Sequence, residues 1–177
     1  VGRDITEKKE YEFHLRLSEE KNKSLFQQNE MVILLIDPVS GKLVDANKAA
    51  SKFYGWTIPE LKEMNIFEIN TLPREEILGK MSLSINKQKS TYTFKHRTAD
   101  GSIKDVEVYS GPIRYGETTL LYSMVHDITE QHAAEKEVKR LKTHFKSIID
   151  NANEGIVLID AKGEFNYVST SAKRIFG

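Results

Sequence analysis

The 177-residue chain contains no cysteine. Disulfides, thiolate metal sites, cysteine nucleophiles and cysteinyl-flavin adducts are therefore excluded. It lacks charge of one sign: 26 Lys+Arg balance 26 Asp+Glu, so no polybasic surface for nucleic acid or anionic lipid is expected. It lacks a long apolar run. Met31 to Ile36 is the longest, far short of the roughly 20 residues that span a bilayer, and Val1 opens no secretory leader. It also lacks a phosphate-cradling glycine loop, Gly-x-Ser-x-Gly and Gly-Gly-Asp-Glu-Phe, so no catalytic residues are assigned. His144, in Lys142-Thr143-His144-Phe145, sits on a helical stretch but lacks the Glu that follows a kinase phosphoacceptor. The five histidines show neither i,i+4 pairing nor acidic neighbours suited to a metal. What remains, 39% hydrophobic and 29% charged, describes a globular chain with a well-solvated surface. The chain does not begin with Met and reads as a piece of a longer protein.

The sequence repeats itself. Asp4-Ile5-Thr6-Glu7 recurs as Asp127-Ile128-Thr129-Glu130, and Ile33–Asp37 recurs as Ile156–Asp160 at the same offset of 123. Between Asp4 and Asp37, 11 of 34 positions are identical at this spacing, where composition alone gives about two. After one deletion Gly41 falls on Gly163, Ala50 on Ala172 and Gly55 on Gly177. The expected organisation is the end of a preceding unit in 1–7, a connecting helix in 8–29, one complete unit in 30–130, a second connecting helix in 131–149, and a truncated second unit in 150–177.

Apolar residues in 8–29 lie at Tyr11, Leu15, Ser18, Asn22 and Leu25 spacing, with polar Ser18 and Asn22 on the same line. The repeat carries Ala134, Val138, Leu141, Phe145 and Ile148 in the same phase. A period of 3.5 places each set on one seam, as in a two-stranded coiled coil, where Asn22 would set register. Within the complete unit, Met31–Ile36 and Lys42–Asp45 read as strands around a turn at Asp37-Pro38-Val39-Ser40-Gly41. Asn47–Tyr54 reads as a helix with Asn47 as N-cap and Gly55 as left-handed C-cap. Thr57-Ile58-Pro59-Glu60 reads as a capping box. A helix after Pro73 presents Ile77, Leu78, Met81 and Ile85. Thr91–Arg97, Ile103–Ser110 and Thr118–His126 read as strands. The fold class expected is α+β: a five-stranded antiparallel sheet with a helical cover on one face, flanked by amphipathic helices.

These motifs resemble a PAS domain. The residues that carry the likeness are Ile36-Asp37…Gly41 with Asp45-Ala46-Asn47-Lys48-Ala49-Ala50; Tyr54-Gly55-Trp56 with Pro59-Glu60-Leu61; Asp100-Gly101-Ser102; and Asp127-Ile128-Thr129-Glu130. The resemblance covers 22–130 in full and 143–177 in part. It implies a sensory module of a bacterial or archaeal signalling protein, arranged in tandem, dimeric through its end helices and joined to an output domain. A histidine kinase of a two-component system is the first expectation for that output. Alternatives are a diguanylate cyclase, or a ligand-free dimerisation spacer. It also implies that Asp127, Ile128 and Thr129 relay the signal into the following helix.

A small pocket between cover and sheet is expected, lined by Phe53, Trp56, Phe67, Leu78, Met81, Tyr92, Phe94, His96, Val108 and Tyr109. Core filling by the same side chains is the competing reading. No cofactor is evident. Haem lacks an axial His in 61–90, flavin lacks its Cys, and an unidentified small molecule stays open. The partners expected are a second copy and the parent's output domain, without nucleic acid or direct membrane contact. The location expected is cytoplasmic, whatever anchors the parent elsewhere.

Overall fold

The computed structural model describes residues 2–86, 90–151 and 154–176. Val1 and Gly177, used in the sequence reading, lie outside them, as do the side chains of residues 1–7. The chain forms two compact units, one up to Thr129 and one from Glu130.

The first unit contains α1 (Gly2–Gln27), β1 (Val32–Ile36), β2 (Leu43–Ala46), α2 (Lys48–Tyr54), α3 (Ile58–Glu63), α4 (Ile66–Ile69), α5 (Arg74–Asn86), β3 (Ser90–Arg97), β4 (Ile103–Tyr115) and β5 (Thr118–Asp127). Helix α1 starts earlier than the expected residue 8, so Asp4–Glu7 are helical, whereas Asp127 closes a strand. No Gly or Pro interrupts residues 3–27, and no neighbouring strand competes for that backbone. The helix ends where Asn29 Oδ1 accepts from the Met31 N–H at 2.9 Å and turns the chain into β1.

The five strands form one antiparallel sheet in the order β2-β1-β5-β4-β3. Leu34, Ile36, Val106, Val108, Leu121 and Val125 point from it into the core, against Tyr54, Leu61, Ile66, Ile69, Ile77 and Met81 from the helices. Local signals set the cover. Asn47 caps α2 through the Ala50 N–H, and Gly55 ends it at φ 85°. Thr57 and Glu60 close the capping box of α3. Strand β4 runs past the expected end at Ser110, through Pro112, to Tyr115. The described β3–β4 pairing begins at Ser90–Ser110, and beyond it Pro112 is in register with Leu121 of β5.

Gly41 has φ 76°, and a Cβ there would meet the Phe67 ring at 2.5 Å. Gly163 has φ 84° with nothing within 4 Å. Gly163→Ala should therefore cost only the backbone strain of about 1 kcal/mol. Gly41→Ala should cost that plus displacement of the ring, about 2–4 kcal/mol in all. Chemical denaturation measures both, and equal losses would show that the Phe67 contact contributes nothing.

Helix α6 (Thr129–Asn151) starts on the last residue of the first unit and continues into the second, which also contains β6 (Val157–Ile159), β7 (Phe165–Val168) and α7 (Thr170–Phe176). The hairpin of the second unit copies the β1–β2 hairpin in detail. Both register shifts fall at matched positions, Leu35/Ile36 and Leu158/Ile159. The Asn47 N–H donates to Ile33 O at 3.2 Å, and the Ser169 N–H donates to Ile156 O at 2.9 Å. Asp150 Oδ1 accepts from Tyr167 Oη (2.7 Å), the Thr170 N–H (3.1 Å) and Thr170 Oγ1 (3.0 Å). These bonds, the Tyr167 one foremost, hold the Asp150 carboxyl below the usual carboxylate range. Leu158, Ile159 and Phe165 are exposed, whereas their counterparts Leu35, Ile36 and Leu43 are buried.

Candidate functional site

Cover and sheet enclose a cavity of about 40 Å³ lined by Asn70, Lys80, Met81, Ser84, Tyr92, Phe94, His96, Val108, Ser110 and Ser123, among others. That is room for a water-sized molecule. Sites for drug-sized ligands run to about 300–1,000 Å³, so this cavity is far too small for one as it stands.

Of the ten residues expected to line it, Met81, Tyr92, Phe94, His96 and Val108 do so. The other five lie elsewhere. Phe53 packs edge-on against Tyr54 at 4.9 Å. The Trp56 carbonyl accepts from Ser51 Oγ at 2.7 Å, and its ring packs partly buried at the core margin. Phe67 lies over Gly41 with the Arg74 guanidinium 4.5 Å from its ring. Leu78 packs at the core margin beside Ile77. Tyr109 points through the other face of the sheet, with Tyr122 and Met124, and donates to Glu107. Side chains alternate along a strand, so Val108 and Tyr109 cannot share a face.

Apart from His96, the sequence reading names none of the buried polar lining residues. Ser84, Ser123 and Asn70 are buried, and Ser110 Oγ and Ser123 Oγ lie 2.8 Å apart. The same alternation that places Val106, Val108, Leu121 and Val125 inward also places Ser110 and Ser123 there.

His96 is 2% exposed. Its Nδ1 lies 2.8 Å from Tyr54 Oη and its Nε2 lies 3.4 Å from Asn70 Nδ2. Asn70 Oδ1 accepts from the Leu72 N–H at 3.0 Å, which turns the amide nitrogen toward the ring. Nε2 is then the acceptor, and Nδ1–H donates to Tyr54 Oη. Burial pushes the His96 pKa down to about 3 and the Tyr54 phenol up. Both groups are neutral at pH 7.

The exit from the sheet is also built. The Ile128 N–H donates to Asp105 O at 2.9 Å. The Asp105 N–H donates to Thr129 Oγ1 at 3.1 Å. Asp127 Oδ1 accepts from the Thr129 N–H at 2.9 Å and from Thr129 Oγ1 at 2.5 Å, and Lys104 lies 3.7 Å from Asp127. Asp127, Ile128 and Thr129 thus latch the first residue of α6 to β4.

The seam residues sit on solvent-facing surfaces. Along α6, Val138, Leu141, Phe145 and Ile148 form one exposed apolar stripe, continued by Ala134. Along α1, Tyr11, Leu15 and Leu25 are exposed, but so are Phe13 and Leu17 on another side; Ser18 and Asn22 are exposed as well. Among the described residues, no group of three or more His, Asp or Glu is placed to hold a metal, and no helix is long and apolar enough to cross a membrane.

A covered five-stranded antiparallel sheet, a small cavity beneath the cover and a strand bonded to an outgoing helix define an α+β domain. The PAS domain model matches residues 29–130, and the PAS fold model matches residues 143–177. The chain belongs to the PAS family. It is 38% identical over 122 residues to diguanylate cyclase DgcM of Escherichia coli (strain K12), covering 67% of this chain and 30% of that protein. It is 25% identical over 179 residues to sporulation kinase E of Bacillus subtilis (strain 168), covering 99% of this chain and 24% of that protein. The chain thus spans less than a third of these relatives. Among solved structures, the PAS domain of an HTR-like protein from Haloarcula marismortui superposes with a TM-score of 0.62 at 20% identity, over 68% of this chain and 99% of that one.

Proposed function

We propose that this chain is a tandem relay segment, cytoplasmic and homodimeric, that passes a change in the cavity of its complete PAS unit through α6 to an output enzyme on the same parent chain. The observation that carries the reading is the latch: the Ile128 N–H donates to Asp105 O, and the Thr129 hydroxyl accepts from the Asp105 N–H, so two successive residues at the α6 start are bonded to one residue of β4. A shift of β4 must therefore move or release the helix. Pairing of α1 and α6 across a twofold, with Ser18 and Asn22 as polar positions on the α1 seam, would give that movement two alternative registers. The cavity's size favours a small ligand, or a partner-induced change with no ligand, over haem or flavin. The matched hairpins and the second family match support reading 150–177 as the start of another unit. The output is a diguanylate cyclase or a histidine kinase, and the higher identity favours the cyclase.

The test is a paired variant, Asp127→Ala with Thr129→Val, placed in the parent protein. Cyclic dinucleotide synthesis from GTP and phosphohistidine formation from ATP are both assayed. Output by one of them should change by about tenfold, the usual size of a coupling between sites, while far-UV circular dichroism stays unchanged. Unaltered output from a folded variant would contradict the relay and favour a spacer.

A further inference from the structure

Strand β3 alternates between the cavity and the outer surface. Phe94 and His96 line the cavity, and Lys95 between them faces out. Three contacts converge on Lys95. Its carbonyl accepts from the Thr71 N–H at 3.0 Å, which ties it to the cover segment that also presents Asn70 to His96. Its register partner across the β3–β4 ladder is Asp105. Its Nζ lies 2.6 Å from Asp105 Oδ1. Asp105 is the residue whose N–H and C=O hold Thr129 and Ile128.

We infer that Lys95 is the positioning residue that couples the cavity-facing strand to the latch of the outgoing helix. The inference rests on the relay reading and names its route. Displacement of α5 or of the Asn70–Thr71 segment moves the β3 backbone at Lys95 and His96 together. The Lys95–Asp105 ion pair then drags or frees the β4 peptide on which α6 begins. The Lys95 side chain is 55% exposed, so the pair adds little to stability. Its role is to fix geometry, and removing it leaves the fold intact.

A coupling cycle on the 177-residue chain tests this by amide hydrogen exchange. The cavity is perturbed from the cover side by Ser84→Val, or by Met81→Leu should Ser84→Val not fold. In the parent background the perturbation should change exchange at residues 128–133 by about threefold or more. With Lys95→Met that response should fall to near unity, and Lys95→Arg should restore it. A threefold response that survives Lys95→Met overturns the role of Lys95 while leaving the relay standing. No response at 128–133 in any background overturns the relay, and the inference with it.

Discussion

Asn47→Ala should lower the stability of the first unit by about 3–5 kcal/mol, the largest loss expected from a single polar substitution in this chain. Asn47 is fully buried and uses both ends of its amide. Oδ1 accepts from the Ile33 N–H at 3.1 Å and from the Ala50 N–H at 3.0 Å. Nδ2 donates to Met31 O at 2.8 Å and to Asn29 O at 3.2 Å. One side chain thus caps α2, anchors the first strand and ends the connector from α1. Alanine leaves four backbone groups without that partner. Serine should be milder, at about 1–2 kcal/mol, because the second unit already uses it. There Ser169 Oγ accepts from the Ile156 N–H at 3.0 Å and from the Ala172 N–H at 3.1 Å. Urea denaturation at pH 7 separates the two, and an Asn47→Ala loss below about 1 kcal/mol would refute the network's role.

Acid should destabilise the fold through His96. Burial holds its pKa near 3 when folded, against about 6.5 for a freely solvated histidine. The unfolded chain therefore binds a proton that the native state refuses. Stability is fully present above pH 6.5, falls as pH drops toward 3, and loses about 1.4 kcal/mol per unit within that window. Between pH 6.5 and 4.5 the contribution of this one group is about 2–3 kcal/mol. Replacement by Gln, which keeps polar atoms near Tyr54 and Asn70, should cost stability at pH 7 and flatten that slope. Denaturation midpoints across this range check it. Parallel slopes for wild type and His96→Gln would show that His96 is not held neutral by burial.

The fold was readable because its punctuation is local. Asn47, Gly55, the Thr57–Glu60 box and the Asp100-Gly101 turn each act within a few residues, and each sits where sequence rules put it. The sequence reading ends β4 at Ser110, just before Gly111-Pro112, whereas pairing with β5 carries the strand on to Tyr115. The cavity was half readable. Aromatic and apolar residues of β3 and α5 point inward as their periodicity says. Placing Tyr109 inward goes against the alternation that Val108 already sets. Tyr54 looked like a helix end, yet its hydroxyl crosses to a histidine 42 residues away. No local pattern encodes that pairing, and none encodes the Lys95–Asp105–Thr129 connection, which depends on β3, β4 and α6 meeting in three dimensions.

The claim beneath all of this is that information leaves the sheet along α6. The most direct measurement is output from the parent protein after insertions into the exposed middle of that helix, near Lys139. A whole heptad keeps the Val138–Leu141–Phe145–Ile148 stripe in phase, and output should stay close to wild type. An insertion of about two residues, at roughly 100° per residue, rotates everything beyond it to the opposite side of the helix, and output should be locked on or off. Equal output from both insertions would contradict transmission through the helix.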